Sequence, residues 1–150
     1  MDIHPPKSPD RPAGSLDKTV RIWDLSNGLP TSVSKPHSGT VRAIAMDDGL
    51  LVTGSADNSM RAWQSSTPNH NQPIFDVSAP YFELPSHNGP VSTMSITNHA
   101  LFSGSWDCSV RTFARGADDG YGPTGLKLTN VLQFSDCKKL SSIITCWIHK

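Results

Sequence analysis

Charge of one sign, long apolar runs and paired cysteines are all scarce in this sequence. The 13 basic residues are balanced by 13 acidic ones, so the chain is neither a strongly basic nucleic-acid binder nor an acidic solvating tail. No apolar run approaches the roughly 20 residues of a membrane-crossing helix, which argues against a membrane partner. Residues 1–13 (MDIHPPKSPDRPA) lack the apolar core of a secretory signal. Cys108, Cys137 and Cys146 are odd in number and show no CxxC spacing. That argues against a disulfide framework and a zinc site, and predicts three reduced thiols in an intracellular protein, cytoplasmic or nuclear. His4, His70, His99 and His149 follow no metal spacing either, and nothing in the sequence calls for a cofactor.

Apolar residues are also short, at 36%, and charged ones reach only 17%, against about 45–50% and 25% in an average soluble domain. The difference goes to small polar and turn-forming types: 20 Ser, 11 Thr, 12 Pro and 11 Gly. No stretch holds apolar positions at helical spacing behind a cap. Many short strands joined by turns fit this composition.

Internal repetition organises those strands. Residues 37–63 (HSGTVRAIAMDDGLLVTGSADNSMRAW) align without a gap to residues 87–113 (HNGPVSTMSITNHALFSGSWDCSVRTF), with nine identical positions. A third, shorter copy, GSLDKTVRIWD at 14–24, shares Gly, Ser, Asp, Arg and Trp with GSADNSMRAWQ at 54–64. Within each full copy three strands are predicted, at 41–46, 50–53 and 59–63 and again at 91–96, 100–103 and 109–113. Turns in which Gly and Asp reverse the backbone separate the second strand from the third. Three strands in 27 residues form an antiparallel meander with small or apolar side chains on both faces. Such a meander needs neighbours above and below to bury them.

These residues resemble those of the WD-repeat family, whose units form the four-stranded blades of a β-propeller. The matching positions are the opening His37 and His87, the Gly-Ser-x-Asp turns ending at Asp17, Asp57 and Asp107, and the closing Trp23, Trp63 and Phe113. The Trp106-Asp107 dipeptide lies in a turn, not at a closing position. The resemblance implies an all-β chain, a partial, open propeller of about three antiparallel blades. Residues 1–13 are then a Pro-rich disordered leader, 14–36 a partial first blade, 37–86 a second blade with an insertion, 87–135 a third, and 136–150 an atypical tail. The prolines of KSPDRPA predict that the two strands due before Gly14 are absent. The outer strand of the second blade is either 74–77 or 81–84, and residues 127–134 form that of the third. Both ends look cut, as in a fragment or truncated form. Open edges and the apolar 143–148 (IITCWI) then predict aggregation of the isolated chain.

Recurring His, Ser/Thr and Asp invite comparison with a hydrolase triad. An active site needs one such set, whereas here the set recurs at fixed offsets, with no Gly-x-Ser-x-Gly elbow and no phosphate loop. By resemblance these residues form a structural hydrogen-bonded network: His37, Thr53 (or Ser55), Asp57 and Trp63 in one copy, and His87, Ser103 and Asp107 in the next. Phe113 has no N–H, which leaves the second network one link short. A non-enzymatic protein-binding scaffold is therefore expected, without nucleic-acid or membrane partners. Arg21, Arg61 and Arg111 fit arginines lying along the sheets or between blades.

In this family partners often dock on the loops before the first strand and between the second and third, which here include Thr40, Arg42, Ser92 and Trp106. Trp106 is the sharpest candidate, because Trp and Arg dominate binding hot spots. The compact turn at 47–49 is similar to that of plant-type F-box/WD-repeat proteins, which hold substrates for ubiquitin ligases. That implies a relation to such adaptors, with ligase components reached only through a parent protein carrying an F-box. A general WD-repeat scaffold without a ubiquitin role is the alternative.

Overall fold

The structure, a computed structural model, describes residues 11–47, 49–66, 74–79, 81–117 and 119–139. Three antiparallel sheets carry the fold. The first holds β1 (Arg11–Gly14), β2 (Val20–Asp24) and β3 (Leu29–Ser34). The second holds β4 (Val41–Met46), β5 (Leu50–Ser55), β6 (Met60–Gln64) and β7 (Phe82–Leu84). The third holds β8 (Val91–Ile96), β9 (Ala100–Ser105), β10 (Ser109–Arg115) and β11 (Leu126–Gln133). Each strand pairs with its sequence neighbour, so every sheet is a meander. Among the described residues the only helical pieces are the 3-10 turns Asp119–Tyr121 and Cys137–Lys139.

One local device makes the hairpin between the second and third strands in each sheet. The carbonyls of Ser15, Ser55 and Ser105 accept from the amides of Lys18, Asn58 and Cys108, each at 3.1 Å. Those three residues are left-handed, with φ of 71°, 74° and 61°. Asp17, Asp57 and Asp107 brace the turns by accepting from the amide two residues on, at 2.9, 2.9 and 2.8 Å. Such an Asx bond is the reason for Asp in a tight reversal.

The sheets stack face to face as blades, and their burial follows the alternation of the strands. Val20 and Ile22 of the first sheet meet Val41, Leu51 and Trp63 of the second, with Phe75 and Val77 of the spacer. On the other face of the second sheet, Leu50, Val52, Met60 and Ala62 meet Val91, Leu101 and Phe113 of the third. Two glycines permit this approach. A Cβ on Gly14 would lie 2.6 Å from Val41 Cγ1, and one on Gly54 would lie 2.5 Å from Val91 Cγ1. The stack is all-β and open: the first blade packs on the second and the second on the third.

Several sequence expectations need correction. A strand does precede the first turn, since β1 pairs Arg11 with Trp23 and Gly14 with Val20. Pro12 lies on a strand that is paired along one edge only among the described residues, the position where sheets tolerate proline. Of the two candidates for the outer strand of the second blade, 81–84 is the one that forms, as Phe82–Leu84. Phe75 and Val77 instead fill the core, and the Val77 amide donates to Ser32 Oγ at 3.0 Å. The cysteines are not all free: Cys108 and Cys137 form a disulfide with their Cα atoms 4.7 Å apart, inside the usual range. Spacing did not reveal it, because the two are 29 residues apart in sequence and meet through the return of β11. Cys146 and the 143–148 segment lie outside the described residues, as do residues 1–10 and the histidines at 4, 70 and 149.

Candidate partner-binding face

At one end of the stack, the turns 55–59 and 105–109 stand beside the starts of β4 and β8. The Ala56 amide donates to the Thr40 carbonyl (2.8 Å), and the Trp106 amide to the Pro90 carbonyl (3.0 Å). Beneath each turn lies a buried polar chain. His37 Nε2 is 2.7 Å from Thr53 Oγ1, and His37 Nδ1 is 2.8 Å from Ser59 Oγ. Ser59 Oγ is in turn 2.5 Å from Asp57 Oδ1, and Asp57 Oδ2 accepts from the Ser38 amide at 2.8 Å.

The proton positions follow from this connectivity. A carboxylate only accepts, so the Ser59 hydroxyl donates to Asp57 and must accept from His37. His37 therefore carries its proton on Nδ1, and Nε2 accepts from the Thr53 hydroxyl. The third sheet repeats the chain. His87 Nδ1 faces Ser109 Oγ and Asp107 Oδ2, both at 3.1 Å, and His87 Nε2 faces Ser103 Oγ at 2.8 Å. Asp107 accepts from Ser109 Oγ at 2.5 Å and from the Asn88 amide at 2.9 Å.

Burial lowers the pKa of both histidines and outweighs the neighbouring carboxylates that would raise it. Burial alone would raise the aspartates, but hydrogen bonds outweigh it. Those from Ser59 and the Ser38 amide hold Asp57 well below the usual carboxylate range. Those from Ser109 and the Asn88 amide, with His87, hold Asp107 down to about 2.

His37, Thr53, Asp57 and, separately, His87, Ser103 and Asp107 are thus brought together, but Trp63 is not part of the set. Its indole N–H donates to the Ala79 carbonyl in the spacer at 3.3 Å, and its ring meets Tyr81 edge-on. Ser59 and Ser109 close the chains instead, so Phe113 costs the third sheet no link. The readable signal was a hydroxyl two residues after each turn Asp, at Thr19, Ser59 and Ser109.

Above these chains the surface is built from different residues. Trp106 is 57% exposed, and the exposed Arg42 lays its guanidinium 4.6 Å from the indole centre. This cation–π contact joins the second blade to the third. Arg42 reaches across because it is the extra residue of a β-bulge: Val41 pairs with Ser55 and Ala43 with Gly54, skipping Arg42. Ser92 is the extra residue at the same place in the third sheet, and its hydroxyl turns back to the Gly104 carbonyl at 3.2 Å. Bulges re-aim a side chain in this way. Thr40 is half-buried beside the Ser55–Ser59 turn. At the opposite end of the stack Arg115 donates to Asp47 and to the Thr97 carbonyl, clamping the two blades. Arg61 lies over the Tyr81 ring at 4.5 Å and pairs with Glu83 at 3.2 Å.

Comparison with known proteins divides the chain differently, joining the last strand of one sheet to the first three of the next. Residues 28–64 and 78–113 match the WD40 model, described as WD domain, G-beta repeat. The chain is 35% identical over 125 residues to an F-box/WD-40 repeat-containing protein of Arabidopsis thaliana, covering 80% of this chain and 21% of the relative. It is 30% identical over 122 residues to mitochondrial division protein 1 of Aspergillus oryzae, covering 65% of this chain and 18% of that protein. A CCR4-associated factor 4 homolog of Vanderwaltozyma polyspora is 28% identical over 108 residues, covering 66% and 16%. The chain thus spans about a fifth of the length of these curated relatives. Among solved structures, the computationally designed Ika4 protein superposes with a TM-score of 0.56 at 22% identity, over 73% of this chain and 62% of that one. Among the described residues no helix is long and apolar enough to cross a membrane.

Proposed function

From a chain that belongs to the WD40-repeat family, we propose a protein-interaction scaffold whose partner docks on the face carrying Trp106 and Arg42. The observation that carries this reading is the exposed indole stacked by an arginine from the adjacent blade. A large aromatic held in place by a cation loses little freedom on binding, and Trp and Arg are the residues that dominate interface energetics. Thr40 and Ser92 flank the pair and supply polar contacts at its rim. The role is non-enzymatic. Among the described residues, Thr53, Ser59, Ser103 and Ser109 carry the hydroxyls that meet the rings of His37 and His87, and those two histidines are buried. Their burial supports a structural role for these hydroxyls.

The partner class is the substrate of an F-box ubiquitin ligase, with this chain related to the propeller that presents it. Similarity to an F-box/WD-40 repeat-containing protein supports that class. Similarity to a mitochondrial division protein and to a CCR4-associated factor supports the second reading, a WD-repeat scaffold outside ubiquitin transfer. Proximity labelling by the wild-type chain, by Trp106→Ala and by a Val131→Ala control separates the readings. Proteins lost with Trp106→Ala but kept with Val131→Ala, and stabilised by proteasome inhibition, support the adaptor. A Trp106-dependent set indifferent to the proteasome supports the general scaffold. Identical labelling by Trp106→Ala and wild type overturns the assigned face.

A further inference from the structure

The three left-handed turn residues among those described are Lys18, Asn58 and Cys108; the Asn58 carbonyl accepts from the distant His87 amide at 3.1 Å, and Cys108 is tied covalently. Its partner Cys137 sits in the 3-10 turn that follows β11. The return of the chain is marked by two further bonds. The Phe134 amide donates to the Cys108 carbonyl at 2.8 Å, and Gln133 Nε2 donates to the Asp107 carbonyl at 2.8 Å.

Beyond that point Phe134 and Cys137 pack with Val110 and Phe102. Alignment of the copies places Phe102 and Val110 where the second sheet has Val52 and Met60, which face the third blade. Phe134 and Cys137 therefore lie on the third sheet as the third blade lies on the second. Few other contacts hold them: residues 131–133, 135, 136 and 138 are exposed. Cys108 and Cys137 are both half-buried, within reach of an attacking thiolate.

We propose that Cys108–Cys137 is a redox latch that fastens residues 134–139 across the outer face of the third blade. A small-molecule or protein dithiol reduces it. One thiolate of the reductant attacks a sulfur of the pair, the S–S bond breaks, and a mixed disulfide forms. The second thiol of the reductant resolves it, leaving the reductant as its own disulfide. Two electrons and two protons end on Cys108 and Cys137 as thiols. Once reduced, the segment keeps, among the described residues, the Phe134 and Gln133 bonds, a weak contact of Cys137 Sγ with the Trp106 carbonyl at 3.8 Å and a small apolar contact. It then lifts, and Val110 loses the cover of Phe134 and Cys137. The latch lies in the same turn as Trp106, but it does not require the partner assigned to that residue.

The test uses the full chain carrying Cys146→Ser, so that the pair holds the remaining cysteines. Purified without reductant, neither Cys108 nor Cys137 should react with an alkylating reagent, and the cross-linked peptide should be recovered. After dithiothreitol both should react, and amide exchange of residues 134–139 should quicken by about tenfold or more. Free reaction of both thiols before reduction overturns the proposal, as does equal exchange of 134–139 in the two states. A Cys137→Ser variant of the otherwise wild-type chain should exchange at the reduced rate whatever the buffer. Should that variant not fold, the oxidised and reduced forms of the first protein still decide the matter.

Discussion

The guanidinium of Arg42 stands 4.6 Å from the ring centre of Trp106, although the two residues belong to different blades. Fifty positions separate Trp106 from Ala56, its counterpart in the second blade, and only the blade carrying Trp106 presents an aromatic there. The contact is exposed, so its contribution to folding is small. A double-mutant cycle of Arg42→Ala and Trp106→Ala, measured by urea unfolding, should give a coupling of about 0.5–1 kcal/mol. A coupling indistinguishable from zero would mean that the stack does not hold the indole in solution.

The histidine chains should matter far more to stability. His37→Ala strips partners from Thr53, which is fully buried, and from Ser59, and leaves a cavity. The loss should be about 2–4 kcal/mol, and His87→Ala should cost a similar amount. Denaturant unfolding of each variant checks this. If removal of either histidine leaves the midpoint unchanged, the chains do not hold the strands together.

Acid should destabilise the fold in two stages. Both histidines have folded pKa values lowered from 6.5, so the unfolded chain takes up protons that the folded chain refuses. Their contribution is complete above the unfolded value and is lost as pH falls below about 6.5. Asp57 and Asp107 are also lowered, from 3.8, with Asp107 at about 2. Their contribution is present above 3.8 and disappears as pH drops through the folded values. Thermal midpoints across a pH series should be flat above about pH 7, then fall, then fall more steeply below about pH 4. A midpoint that rises on acidification from 7 to about 5 would contradict the buried neutral histidines.

Glycine substitutions offer a sharp contrast. A methyl on Gly54 would come within 2.5 Å of Val91 Cγ1 and 2.8 Å of Met94 Sδ, forcing two blades apart. Gly54→Ala should cost about 1–3 kcal/mol. Gly49 has open space around its Cβ position and no left-handed backbone, so Gly49→Ala should change stability by no more than about 0.5 kcal/mol. Equal effects at the two sites, read from unfolding curves, would refute the blade contact at Gly54.

Much of the architecture was legible because each blade repeats its own chemistry. His37 and His87, the Gly-Ser-x-Asp turns and the closing aromatics recur at fixed offsets, and local hydrogen bonds between near neighbours explain them. The strand ahead of Gly14 was missed because Pro12 argues against a central strand yet is tolerated at an edge. The tie between Trp63 and Ala79 was missed because the acceptor lies in a spacer with no repeat to reveal it. Ser59 and Ser109 were visible as recurring hydroxyls, but their place in the chain depends on which ring nitrogen each one faces.

By itself, then, the sequence determined the meanders, their turns and the buried polar sets, since these depend on residues close along the chain or duplicated within it. Only the tertiary structure decided what crosses from blade to blade or back from β11. The bulge that turns Arg42 toward Trp106, the fit of Val91 against Gly54 and the joining of Cys108 to Cys137 all depend on how sheets stack. No local pattern encodes that distance. The sequence could single out Trp106 and Arg42 separately, while their contact across two blades came from packing.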